Sequence, residues 1–127
     1  MRITAFYAGL LAIFFVLLSI HVIRRRLANM VSLGAGGDVE LSRRIRVHGN
    51  FAEYVPLGLI LIGLSESLGT TPMLVHGLGL ALLVGRMSHA WGLSPANGMQ
   101  AFRTVGMVLT FGMLLVGAGT CLVLALR

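Results

Sequence analysis

Between Ile3 and Ile23 lie 21 consecutive residues without a single Asp, Glu, Lys or Arg. Rising 1.5 Å per residue as an α-helix, such a run spans about 30 Å, the thickness of a bilayer's hydrocarbon core. A segment of this length must be helical there, because lipid offers no partner to an unpaired backbone N–H or C=O. Composition extends the constraint to the whole chain. With 57% hydrophobic and 11% charged residues in 127 positions, and a mean hydropathy of +0.92, too little polar surface remains for a water-soluble domain. The run ends in Arg24-Arg25-Arg26. A cleaved signal peptide carries its positive charge before the apolar stretch and a small-residue cleavage motif after it, so this segment reads as a retained anchor.

Three further spans follow. Phe51 to Leu64 is the apolar part of a helix expected to begin near Leu41, outside the bilayer, with Asp38 and Ser42 offering capping oxygens ahead of it. Gly69-Thr70-Thr71-Pro72 is a turn with proline placed at a helix start. Met73 to Leu93 forms the third span, broken by Gly92-Leu-Ser-Pro95-Ala-Asn-Gly98. The fourth runs from about Met99 to Leu126. No linker or long repeat interrupts the chain, so residues 1–127 read as one all-α, four-helix transmembrane domain.

All ten basic residues are arginine. Arg24, Arg25, Arg26, Arg43, Arg44 and Arg46 flank the first loop, and Arg86 and Arg103 flank the third, leaving only Arg2 and Arg127 at the other end. The positive-inside rule then places both arginine-rich loops in the cytoplasm and both termini on the non-cytoplasmic side. A sequence pI of 11.4 accordingly reports topology and attraction to anionic lipid. No aromatic interleaving or nucleic-acid motif accompanies it, so no nucleic-acid partner is expected.

Polar residues inside the spans are the functional signal. In Arg46-Val-His-Gly-Asn50-Phe-Ala-Glu53-Tyr54-Val-Pro56, positions 46, 50 and 53 fall on one helix face. A carboxylate within a span is costly and reads as functional, with Arg46 its nearest sequence-local cation. Arg86 and His89, three apart, reach the same depth from the third helix. Arg86 taken alone is equally well explained as an interfacial arginine whose head snorkels to water. Gly77, Ala81 and Gly85 form a small-residue stripe that lets a neighbouring helix approach. Arg103 opens the fourth span at the same end.

Other residues carry less. His21, His48, His76 and His89 lack ligand spacing and a Cys partner, so no metal site is expected. Cys121 is single and reads as packing. Glu66, at the outer end of the second span, reads as a solvated carboxylate.

Arg, Asn, Glu and Tyr at one level suit a ligand bearing carboxylates and an ammonium, since planar guanidinium groups pair bidentately with carboxylates and Glu holds an ammonium. Glutathione has both. A guanidinium beside its sulfur would favour the thiolate, and an apolar co-substrate would arrive laterally from lipid.

The pattern Arg46-x-x-x-Asn50-x-x-Glu53-Tyr54-x-Pro56, with Gly85-Arg86-Met-Ser-His89-Ala and Arg103 after it, resembles the MAPEG superfamily of membrane-associated proteins in eicosanoid and glutathione metabolism. Val-His-Gly-Asn-Phe-Ala-Glu-Tyr-Val-Pro is most similar to its small bacterial branch, whose members often have no assigned function. The resemblance implies a homotrimer of four-helix subunits in the bacterial inner membrane, with glutathione bound between neighbours near the cytoplasmic face. Carried over, Arg46, Asn50, Glu53, Tyr54, Arg86 and His89 would bind glutathione as co-substrate and Arg103 would activate its thiol. One of Arg24 to Arg26 would reach a glutathione carboxylate. Gly49, His89 and Leu93 depart from the arginine and aromatic hydroxyls of some members, which weakens an eicosanoid assignment.

Three functions fit these residues. The first is a glutathione-dependent transferase or peroxidase acting on lipophilic electrophiles or hydroperoxides, and retention of Arg46, Asn50 and Glu53 together favours it. The second is a non-catalytic lipid-binding or regulatory protein of the same fold. The third, a small proton-coupled exporter, would resemble a pattern with its carboxylate in the first span, where this chain has none.

Overall fold

The structure, a computed structural model, describes residues 1–92 and 100–126. Four helices account for nearly all of them: α1 (Arg2–Ala28), α2 (Val39–Ser67), α3 (Pro72–Gly92) and α4 (Gln100–Ala125). Each is long and apolar enough to cross a bilayer, so the chain is an all-α integral membrane bundle. Leu93 and Met99, the expected end of the third span and start of the fourth, lie outside the described residues.

Boundaries follow local chemistry. α1 continues past its apolar run through all three arginines, whose long side chains suit the last turns of a helix leaving the hydrocarbon. α2 starts at Val39, two residues before the expected Leu41, because Asp38 caps it by accepting from the Glu40 N–H at 3.0 Å. Ser42 instead contributes its backbone N–H to the Asp38 carbonyl. Pro56 sits inside α2 without ending it, as membrane helices tolerate. At the far end Gly69 takes a φ of 83°, and its N–H and that of Thr70 bond back to Glu66 and Ser65, a glycine-stopped helix end. Pro72 then opens α3.

α2 and α3 form the middle of the bundle, each packed on the three other helices, whereas α1 and α4 do not touch. The core between them is Leu11, Phe51, Val55, Ile62, Val75, Leu78, Leu82 and Met113. The outer faces of α1 and α4 carry exposed Ile13, Val16, Leu17, Leu115 and Leu122, an apolar surface that lipid satisfies.

Two sequence expectations change. Glu66 is not a solvated carboxylate: with a side chain only 13% exposed, it accepts from the N–H groups of Ile3 and Thr4 and from the Thr4 hydroxyl. It caps α1 from another helix, neutralising N–H groups that would otherwise be orphaned at the helix start. The small-residue stripe also ends differently. Gly77 faces open space, Ala81 is half-buried and only Gly85 is packed, against Thr110 and Gly106 of α4. Steps of four residues turn the helix by about 40° beyond a full turn, so a stripe at 77, 81 and 85 drifts off the contact face.

Candidate functional site

Arg86 organises the arginine-rich half of the bundle. Only 2% exposed, it is no snorkelling side chain, since its guanidinium is turned into the protein between α2 and α4. Nη1 donates to Asn50 Oδ1 at 2.5 Å and Nη2 donates to Thr110 Oγ1 at 2.8 Å. Weaker contacts reach the Gly106 carbonyl and Met107 Sδ, and the guanidinium lies 5.5 Å from the Tyr54 ring centre. Every one of these partners is neutral. Nε is buried without a hydrogen-bond partner among the described residues, so the cation is held by dipoles and a π face rather than by a carboxylate.

The Arg46, Asn50, Glu53 face divides at this point. Asn50 is 7% exposed and turned inward, while Arg46 and Glu53 stand on the outside, 69% and 53% exposed, with Nη1 and Oε1 3.6 Å apart. Asn50 lies about 60° round the helix from Glu53, enough to put one side chain at the rim of the core and the other beyond it. Because Arg86 occupies the Asn50 carbonyl, the amide NH₂ is the group Asn50 has left to offer. Tyr54, half-buried, bridges α2 to α4 edge-on to Phe111 at 5.6 Å.

His89 is buried one turn beyond Arg86 on α3, and Arg103 is exposed in the first turn of α4, its backbone against Gly92. Gly92 lies six residues past Arg86, about 9 Å of helix, and Arg46 lies about 6 Å beyond Asn50 in the same direction. Arg103 and Arg46 therefore sit at similar heights, above the Arg86 layer. The fold gathers the α2, α3 and α4 residues singled out from sequence at one end of the bundle, with Arg86 and Asn50 inside and Arg46, Glu53 and Arg103 outside. Thr110 was missed. A threonine in an apolar helix commonly bonds its own backbone, as this one also does to the Gly106 carbonyl at 2.8 Å, so nothing in the chain marks it.

Two of the three clustered arginines are engaged locally. Arg25 donates from Nε to Asp38 at 2.7 Å, Asn29 also bonds that carboxylate, and Arg26 donates to the Gly34 carbonyl at 2.8 Å. The Arg25 hydrogen bond, aided by backbone N–H donors, holds the Asp38 carboxyl below its ordinary range against an opposing effect of desolvation. Arg24 has no such partner among the described residues.

Nearby, Ser19 donates to the Phe15 carbonyl at 2.9 Å and lies 3.0 Å from His48 Nε2, an arrangement in which the imidazole donates to the hydroxyl and does not activate it. Below that pair, α1 and α2 leave an apolar groove of about 240 Å³ walled by Leu11, Phe15, Phe51, Val55, Pro56 and Leu59. Among the described residues no three His, Cys, Asp or Glu side chains are placed to share a metal ion.

This is a polar layer built into an apolar bundle. The MAPEG family model matches residues 4–123. The chain belongs to the MAPEG family. It is also 36% identical over 113 residues to "Inner membrane protein YecN" of Escherichia coli K12, covering 89% of this chain and 85% of that protein, and the same holds for the YecN protein of Escherichia coli O6:H1.

Proposed function

We propose that this MAPEG protein binds glutathione at the outward-facing Arg46 and Glu53 pair and uses it as co-substrate in transfer to, or reduction of, lipophilic molecules in the bacterial inner membrane. The observation that carries the reading is the exposed ion pair itself. A carboxylate and a guanidinium on the outer face of a membrane helix lack the cover that intramembrane charges require, so a polar ligand, a neighbouring subunit or both must supply it. A homotrimer with the ligand between neighbours provides such cover, and a family of glutathione-handling membrane proteins is the expected setting.

The available groups match the ligand end by end. Glu53 offers a carboxylate to an ammonium, while Arg46 and the Asn50 NH₂ offer donors to an adjoining carboxylate, which together describe an α-amino acid terminus. Arg24 is the member of its cluster left to meet a second carboxylate. Arg103, at the height of Arg46, is assigned the thiol: its guanidinium stabilises the thiolate, whose sulfur bonds to an electrophilic carbon as the leaving group departs with the electron pair. With a hydroperoxide, two glutathione thiols are oxidised to the disulfide while the peroxide is reduced to alcohol and water. The α1–α2 groove is apolar throughout and borders Ala52, the residue before Glu53, which suits the hydrocarbon part of the second substrate.

Calorimetric titration of detergent-purified protein with glutathione tests the binding, and the ultraviolet absorbance of bound thiolate tests the chemistry. The thiol should ionise near neutrality in the parent and move toward the free value of about 8.5 in Arg103→Ala. Arg103→Lys should retain some stabilisation without the planar fork. Binding with an unchanged thiol and an unchanged rate toward an aryl halide in Arg103→Ala would reduce Arg103 to a topology residue.

A further inference from the structure

Helices α3 and α4 meet backbone to backbone where Arg103 emerges. A Cβ on Gly92 would lie 2.5 Å from the Arg103 nitrogen, closer than real Cβ atoms approach backbone, and 3.0 Å from its Cα, itself a tight contact. A Cβ on Gly106, one turn along α4, would lie 2.6 Å from the His89 nitrogen and 2.5 Å from the Gly85 carbonyl. These two contacts pair Gly92 with Arg103 and His89 with Gly106 in one antiparallel register. Ser88 locks it further by donating to the Phe102 carbonyl at 2.8 Å, and Arg86 does so by donating to Thr110 one turn deeper.

The consequence falls on a side chain that nothing else in the described structure holds. Arg103 is exposed, so its height and rotation are set by where its backbone is pinned and not by packing around its guanidinium. We propose that Gly92 is a positioning residue for Arg103: the missing side chain at 92 lets α4 seat against the last turn of α3, and that seating aims the Arg103 guanidinium. The role of Arg103 rests on the function proposed above, whereas the pinning is a property of the helix contact alone.

A methyl group at 92 must push the first turn of α4 outward by close to an ångström to restore ordinary contact. Misplacing a catalytic group by that distance costs on the order of 10²-fold in rate. Gly92→Ala should therefore lower kcat toward an aryl halide by about 10- to 100-fold and raise the bound thiol's pKa, while glutathione affinity, set by Arg46, Asn50 and Glu53, changes by no more than about threefold. The decisive measurement is a cycle with Arg103→Ala. If Gly92 acts through Arg103, adding Gly92→Ala to the Arg103→Ala protein costs nothing further, and full additivity overturns the proposal.

A ligand-free readout separates this inference from the functional one. In protein labelled with ¹⁵N only at arginine, Gly92→Ala should move the backbone amide resonance of Arg103 and leave those of Arg24, Arg25 and Arg26 in place. A shifted amide in a protein that binds no glutathione sinks the function and keeps the pinning, and an unmoved amide sinks the pinning. Should Gly92→Ala fail to assemble, Ser88→Ala removes the neighbouring lock without adding bulk. It should shift the same resonance and lower kcat in the same Arg103-dependent way, and a parental spectrum and rate would refute the proposal.

Discussion

Replacing Arg86 with Met asks what a buried cation without a carboxylate is doing in the bundle. Met keeps much of the aliphatic stem and removes the charge. Two effects oppose each other. An arginine at mid-membrane costs about 2.5–3.5 kcal/mol on insertion scales, and Met recovers part of that. Only part is recovered, because in separated helices Arg86 can snorkel toward the nearby interface and already relieve the cost. Against this gain stand the lost bonds to Asn50 at 2.5 Å and Thr110 at 2.8 Å. Interhelical bonds in bilayers are worth about 0.6–1.7 kcal/mol each. The Asn50 carbonyl is also stranded at 7% exposure, and an orphaned acceptor costs about 1–3 kcal/mol. Thr110 is spared that fate by its own bond to Gly106. The losses outweigh the partial gain, so Arg86→Met should lower stability by about 2 kcal/mol.

Asn50→Leu should cost a similar amount, since it leaves Nη1 of the guanidinium unpaired. The double variant removes donor and acceptor together and puts two apolar side chains in contact, so it should be no less stable than either single one. The expected coupling is therefore about 2 kcal/mol or more. Reversible unfolding in mixed micelles of increasing sodium dodecyl sulfate, followed by helical circular dichroism, measures all four proteins. Additivity within about 0.5 kcal/mol, or an Arg86→Met protein as stable as the parent, would refute the assignment of Arg86 as the tie between α2, α3 and α4.

Glu53→Gln should weaken glutathione binding by one to two decades, the cost of a charge-assisted pair of about 1.5–3 kcal/mol, with assembly unchanged by size-exclusion chromatography; an unaltered dissociation constant removes the ammonium role. Glu66→Ala should cost about 1–2 kcal/mol and speed hydrogen exchange at Ile3 and Thr4 while leaving the arginine-rich end untouched. Asp38 has its carboxyl held below the ordinary 3.8, so its contribution to the α1–α2 loop is complete above that value and disappears as pH falls through the lowered one. Protection factors in residues 29–38, which discount the intrinsic pH dependence of amide exchange, should therefore be flat from neutral pH to about 5 and fall only in stronger acid, a fall that Asp38→Asn abolishes. A cysteine at Ser32, in a protein with Cys121→Ala, should resist an impermeant thiol reagent in intact cells and react once the membrane is opened; prompt labelling would reverse the orientation.

The spans and their punctuation were legible because each has a local cause. A charge-free run long enough to cross lipid leaves no alternative to a helix, and Asp38, Gly69 and Pro72 mark ends through their own backbone chemistry. What stayed hidden is rotational phase. In a soluble helix, polar side chains identify the face turned away from the core, but here lipid and core are both apolar and hydropathy cannot distinguish them. Arg46, Asn50 and Glu53 share a stripe by spacing, yet the boundary between inside and outside runs through it. Asn50 joins the core through Arg86 while Glu53 remains outside. The same ambiguity let Gly77 pass as a packing residue and kept Gly92, whose contact is with a helix beyond the loop, out of view. Glu66 failed for another reason: its partners lie more than sixty residues away, at the start of α1. Phase in a membrane helix is therefore set by a few long-range polar bonds, so the residues that decide the shape of this site are those whose partners sit on other helices. Arg86 is the clearest of them: its bonds to Asn50 and Thr110 turn one face of α2 inward and leave Arg46 and Glu53 outside.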